Sequence, residues 1–168
     1  MKIDKIKKAQ TILLVIAIIA FIAGAVLSFQ EEQKRAHDVS DISIQLVSSY
    51  TGYDGNYPNV YADFKVANNT KATLTYLKFI TTVKSSSGKT IGTITYSFGS
   101  TLSWSSSLDM EPGENETITA SVSGSMYESS WSDLFSSLFY NHGFDGYTVK
   151  HEIVEAQWDD DYEWMAEN

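Results

Sequence analysis

Twenty-two consecutive residues, Ala9 to Gln30, carry no charge, and their centre reads Ile12-Leu13-Leu14-Val15-Ile16-Ala17-Ile18-Ile19-Ala20-Phe21-Ile22. This run restricts the fold more than any other feature of the chain. As a helix rising about 1.5 Å per residue it spans about 33 Å, enough to cross a hydrocarbon core about 30 Å thick. A helix also pairs its own backbone N–H and C=O groups, which lipid cannot do. Lys2, Lys5, Lys7 and Lys8 precede the run with only Asp4 opposing them, whereas Glu31 and Glu32 are balanced by Lys34 and Arg35 on the other flank. The excess of Lys on the leading side predicts a cytoplasmic N-terminus, with everything after Phe29 outside. Residues 1–29 therefore read as a basic tip and a transmembrane signal anchor in the cell membrane, and residues 9–30 as the contact with lipid.

Two alternatives differ in whether the mature protein keeps this segment. Ala23-Gly24-Ala25 resembles a small-x-small cleavage site, and cutting near Ala25 releases a secreted domain. Lys8-Ala9-Gln10-Thr11 is similar to the class III signal of type IV pilins and archaellins, which implies a pilin-like subunit assembling through its N-terminal helix. Bacterial pilins carry Glu at the fifth mature position, where a chain cut after Ala9 has Leu14.

Gln30 to Asp38 is polar and of mixed charge, a stalk or a short continuation of the helix. Beyond it the balance changes sign: of 12 Lys+Arg and 21 Asp+Glu, residues 39–168 hold six and seventeen, a net charge of −11. A surface that acidic repels phosphate backbones, so nucleic acid is not an expected partner. With 0 Cys the chain has neither disulfides nor thiolate metal sites, and its folded part must rely on a hydrophobic core.

From Val39 the apolar residues alternate with polar ones in short runs separated by turn residues, the signature of antiparallel strands. Ile42 to Leu46 and Val60 to Val66 alternate cleanly. Tyr50 to Asn59 between them reads as a loop, and Asn68-Asn69 ends the second strand, since Asn tolerates the left-handed conformation. Leu74 to Val83 and Thr90 to Phe98 are predicted to pair across Ser85-Ser86-Ser87-Gly88. An edge strand is expected around Leu102 and Trp104, a type II turn at Glu111-Pro112-Gly113-Glu114, then strands over Thr117 to Val122 and Tyr147 to Trp158. Between the last two, Trp131, Leu134, Phe135, Leu138 and Phe139 recur at helical spacing, which predicts a helix over about 129–141 that Asn141-His142-Gly143 stops. The fold class expected is mainly β: an immunoglobulin-like antiparallel sandwich of about seven strands over residues 39–158, with one short helix inserted before the last strand and an acidic tail at 159–168.

Val60-Tyr61-Ala62-Asp63-Phe64-Lys65-Val66-Ala67-Asn68-Asn69, then Leu77 to Val83, Ser87-Gly88-Lys89-Thr90-Ile91-Gly92 and Glu111-Pro112-Gly113-Glu114, resemble the FxLYD and LEA-type sandwich domains of bacterial surface proteins. The likeness covers roughly residues 39 to 158 and lies in the succession of turns; Met126 to Phe144 is extra to it. It implies a binding or structural module and carries over no catalytic residue.

The remaining constellations are sparse. His37, His142 and His151 lack the spacing of a metal site or a catalytic dyad, no Gly-x-Ser-x-Gly elbow occurs, and Asp159-Asp160-Asp161 reads as a solvated run. No catalytic, cofactor-binding or metal-ligating residue is nominated. Asn68-Asn69-Thr70 and Asn115-Glu116-Thr117 satisfy the glycosylation sequon. Trp131, Phe135 and Phe139 of the helix, with Tyr50, Tyr53 and Tyr57 of the Tyr-rich loop, are the candidate contacts with a protein or cell-envelope partner, because aromatic rings near turns favour docking. Full burial of Trp131 and Phe135 would remove the helix from that role.

Overall fold

The computed structural model describes residues 2–99, 108–123 and 129–167; within its two helices, side chains are described from Leu13 and from Asp133 onward. The chain forms two compact units, Met1–His37 and Asp38–Asn168. The first is a helix, α1 (Lys2–Ala36), within which an 18-residue window reaches a mean hydropathy of 2.5 with none of it buried. The helix runs on through the polar stretch after Gln30, so most of the expected stalk is helical. His37 Nδ1 lies 2.7 Å from Gln33 O at its end.

In the second unit Asp38 caps a 3₁₀ turn at Val39–Asp41, its carboxylate accepting from Ser40 N. Seven strands follow: β1 (Ile42–Asp54), β2 (Tyr57–Asn68), β3 (Leu74–Lys84), β4 (Thr90–Gly99), β5 (Asn115–Ser123), β6 (Thr148–Trp158) and β7 (Glu163–Met165), with the helix α2 (Ser129–Tyr140) before β6. They form two antiparallel sheets, β1-β2-β5 and β4-β3-β6-β7. Every residue of the hydrophobic core lies at Val39 or beyond, so this unit closes its core without the apolar helix.

The core forms because the inward positions of each strand are large and apolar. Val60, Ala62, Phe64 and Val66 of β2 are buried against Leu77, Phe79 and Val83 of β3 and Ile94 and Tyr96 of β4. Phe64 sits at the centre, its ring 5.2 Å from that of Phe79 and 4.9 Å from that of Tyr96. Aromatic contacts at such distances add to the burial itself.

The hairpin and turn expectations hold where Gly supplies the conformation. Gly88, at φ +81, donates its N–H to Ser85 O at 2.8 Å. Gly113, at φ +82, stands at the third position of the Glu111–Glu114 turn, as a type II turn requires.

Three expectations change. Tyr50 to Asn59 is not a loop: β1 and β2 run on in register from Tyr50↔Tyr61 to Asp54↔Tyr57, and only Gly55 and Asn56 turn. Cross-strand pairing there outweighs the local turn signals. Asn68 ends β2 through its side chain, described below, rather than through a left-handed backbone; the non-Gly residues with positive φ among those described are His142 and Asp161.

The tail is also partly ordered. Asp159, Asp160 and Asp161 are exposed, but they form a turn that carries Glu163–Met165 back as β7 along β6. Tyr162 and Trp164 account for this, since both pack against the core. The short helix thus precedes the last long strand, and β7 supplies the seventh. The edge strand expected around Leu102 and Trp104 falls on residues outside those described. Met110, just after them, bridges to Leu74.

Candidate docking surface

Two structural features bring α2 and the β1–β2 hairpin together. The first is the end of α2, where Gly143 N donates to Leu138 O at 2.8 Å and His142, at φ +59, turns the chain. Phe144 N then donates to Ser49 Oγ at 2.8 Å, which ties the segment after the helix to β1. The second is the apolar face of α2: Leu134 and Leu138 are buried in the core, and Leu134 lies so close to Gly92 of β4 that a β-carbon there would stand 2.7 Å from its Cδ2.

Helix and hairpin meet through rings. Tyr53 packs edge-on against Phe139 with centroids 5.7 Å apart, Phe139 stacks on Phe135 at 5.9 Å, and Tyr140 approaches Phe139 at 6.2 Å. On the outer face of the hairpin Tyr50 stacks on Tyr61, centroids 5.0 Å apart and planes within 13°. Tyr53 is 68% exposed, Tyr57 58% and Tyr140 81%. Two residues that sequence reasoning passed over, Tyr61 and Tyr140, therefore belong to this aromatic surface. Tyr61 could have been found only by knowing the β1–β2 register, because its stacking partner lies eleven residues away.

Of the nominated residues, Tyr50, Tyr53 and Tyr57 are exposed, whereas Phe139 is half-buried and packs against the core. Phe135 is 9% exposed and belongs to the core cluster, so it covers the sandwich instead of docking. The side chain of Trp131 lies outside the described residues.

The polar groups are engaged in holding the fold. Asn68, fully buried, donates from Nδ2 to Ala72 O at 2.9 Å and to Met110 O at 2.8 Å. Its Oδ1 accepts from Thr70 N at 3.1 Å and Thr70 Oγ1 at 2.7 Å, and Trp158 Nε1 donates to Thr70 Oγ1 at 3.1 Å. This Asn is the acceptor of the first sequon, and in the folded domain it offers no free amide; the second, Asn115, is exposed.

Asp63, on the outer face of the three-stranded sheet, accepts from Ser48 Oγ at 2.5 Å and Thr119 Oγ1 at 2.7 Å. These bonds hold its carboxyl below the usual range, that of Ser48 acting most strongly. His151 faces inward beside Thr81, with Nδ1 and Oγ1 3.0 Å apart and the edges of Phe64 and Phe79 on its ring. Desolvation there pushes its pKa down.

A cleft of about 370 Å³ is lined by Thr75, Gln157, Trp158, Tyr162 and the carboxylates Asp159, Asp161 and Glu163. Among the described residues no group of three or more His, Asp and Glu side chains is placed to hold a metal ion. Neither family models, nor curated proteins, nor solved structures match the chain.

Proposed function

We propose that this chain is a single-pass membrane protein whose β-sandwich serves outside the membrane as a binding or structural module, without catalysis of its own. One observation carries the reading: an apolar helix long enough to span lipid, none of its hydrophobic window buried, precedes a unit that builds its core entirely from its own residues. A helix of that composition needs an apolar surrounding, and the sandwich core does not supply it. The excess of Lys before the helix supports a cytoplasmic N-terminus.

The strand order supports an immunoglobulin-like assignment, since β1, β2 and β5 share one sheet while β3, β4, β6 and β7 share the other. The turns at Ser85–Gly88 and Glu111–Glu114 support kinship with the FxLYD and LEA-type surface domains. Binding falls to Tyr50, Tyr53, Tyr57 and Phe139, with Trp131 at the start of the same helix. Their support is the exposure of Tyr50, Tyr53 and Tyr57, two of which already lie against other rings, Tyr50 on Tyr61 and Tyr53 on Phe139, so that these two have little side-chain freedom left to lose on docking.

The test is made in cells that express the full chain. The expected result is a protein that stays with membranes through alkaline washing, begins at Met1 by mass, and loses the segment after Phe29 to protease added outside. A mature chain starting at Val26 shows a secreted domain, and one starting at Gln10 a pilin-like subunit; either overturns the anchor, as does an intact chain in the soluble cytosolic fraction.

A further inference from the structure

The free side of β6 is unevenly covered. β6 pairs with β3 along its whole length, but on the other side β7 meets only Glu155, Ala156 and Gln157, and Ala166 N donates to Val154 O at 3.0 Å. Among the described residues no strand pairs with that side from Thr148 to Ile153. Such an edge offers backbone donors and acceptors that only another extended chain satisfies together. Its outward side chains include Lys150 and Glu152, opposite in charge, two residues apart, with 73% and 70% of their side chains exposed. On the inward side, His151 and Ile153 line a cleft of about 300 Å³ with Val39, Ile42, Ile44 and Trp164.

We propose that this edge binds the same edge of a second copy of the chain, antiparallel and centred on His151. Charge selects the occupant and the register. When two identical strands pair antiparallel with both inner faces on one side, a single residue sits opposite itself. Centred on Lys150 the pairing sets Lys150 against Lys150, and centred on Glu152 it sets carboxylate against carboxylate; like charges directly opposite are unfavourable. Centred on Val149 it leaves Lys150 against Thr148 and forms no ion pair. Centred on His151, Lys150 of each copy faces Glu152 of the other, so one interface holds two ion pairs related by a two-fold axis.

The same register sets Val149 of each copy beside Ile153 of the other on the inner side, where it covers the mouth of the apolar cleft. Within one chain Lys150 Nζ and Glu152 Oε2 already lie 4.0 Å apart. An exposed pair of that kind contributes little, so exchanging it for a pair across the interface is nearly free of cost.

The experiment measures self-association of the full chain in detergent micelles by sedimentation equilibrium, for the natural protein, Lys150→Glu, Glu152→Lys and the double exchange. Both positions are exposed, so folding of each variant is confirmed by an unchanged far-ultraviolet circular dichroism spectrum, which loss of the dimer does not alter. The expected result is a dimer that each single reversal weakens about tenfold or more, because two attractive pairs become repulsive, and that the double exchange restores. A natural protein that remains monomeric overturns the proposal. So does an association insensitive to all three variants, which the apolar helix would then account for, or a loss that the double exchange does not repair.

Discussion

Replacing Asn68 by Ala tests the polar contact that joins the two sheets at one end of the sandwich. The substitution removes both donors to Ala72 O and Met110 O and the acceptor of Thr70 N and Thr70 Oγ1. Ala72 O keeps one donor, Thr70 Oγ1 at 3.1 Å, and Met110 O keeps another, Leu74 N at 2.9 Å; Thr70 N, in the buried part of the cluster, loses its acceptor. A net hydrogen bond contributes about 1 kcal/mol, and a buried group left without a partner costs about 1–3 kcal/mol. With one orphaned donor added to the net bonds lost, the expected loss is about 2–4 kcal/mol, a large share of a typical domain's stability. For a unit of this size it lowers the thermal midpoint by roughly 7–15 °C. Trp158 donates to Thr70 in the same cluster, so its fluorescence reports the change during unfolding of the full chain. Asn68→Asp should be worse still as pH rises above about 3.9, since an ionised oxygen would then face two carbonyl oxygens. Asn69→Ala, at the exposed neighbour, should shift stability by less than about 0.5 kcal/mol. If Asn68→Ala unfolds within about 1 kcal/mol of the natural protein, the contact does not hold the sheets and the reasoning fails.

Three further perturbations address other parts of the unit. Because burial lowers the pKa of His151, its contribution should be fully present above about 6.5, the unfolded value, and be lost progressively as pH falls below it; His151→Gln should flatten that part of the stability profile, and an unchanged slope would remove His151 as its source. Since Ser48 and Thr119 hold the Asp63 carboxyl below its usual range, Ser48→Ala with Thr119→Ala should move its NMR titration back up toward about 3.9, whereas a titration that stays put would show that the two hydroxyls do not act on it. Gly92→Ala pushes a methyl group into Leu134 and should destabilise the unit by about 1–3 kcal/mol, with faster amide exchange in α2; a helix whose exchange does not change would mean that Leu134 moves aside freely.

The strands and α2 were legible because their periodicities differ. Val60, Ala62, Phe64 and Val66 repeat every two residues, and Leu134, Phe135 and Leu138 recur at helical spacing. The Tyr50–Asn59 segment was misread for a physical reason: Gly52, Asp54, Gly55, Asn56 and Pro58 each favour a turn locally, but the strands flanking them are already in register and extend pairing almost to the tip. The tail was misread because three Asp outweighed Tyr162 and Trp164 in a reading by charge, while in the folded unit those two rings reach the core.

The candidate surface divides in the same way. That Tyr50, Tyr53, Tyr57 and Phe139 are ring-bearing residues near turns is a property of the sequence, but that Tyr53 meets Phe139 and Tyr50 meets Tyr61 is not. Phe135 shows the converse, a ring nominated for docking that the sandwich takes for its own core.

Alone, the sequence determined an apolar helix long enough for a bilayer, an antiparallel β unit after it and an acidic surface, because length, periodicity and charge act locally or by simple addition. Which rings touch, which Asn is buried and which stretch of β6 no other described strand pairs with depended on how distant segments align, and only the tertiary structure decided that.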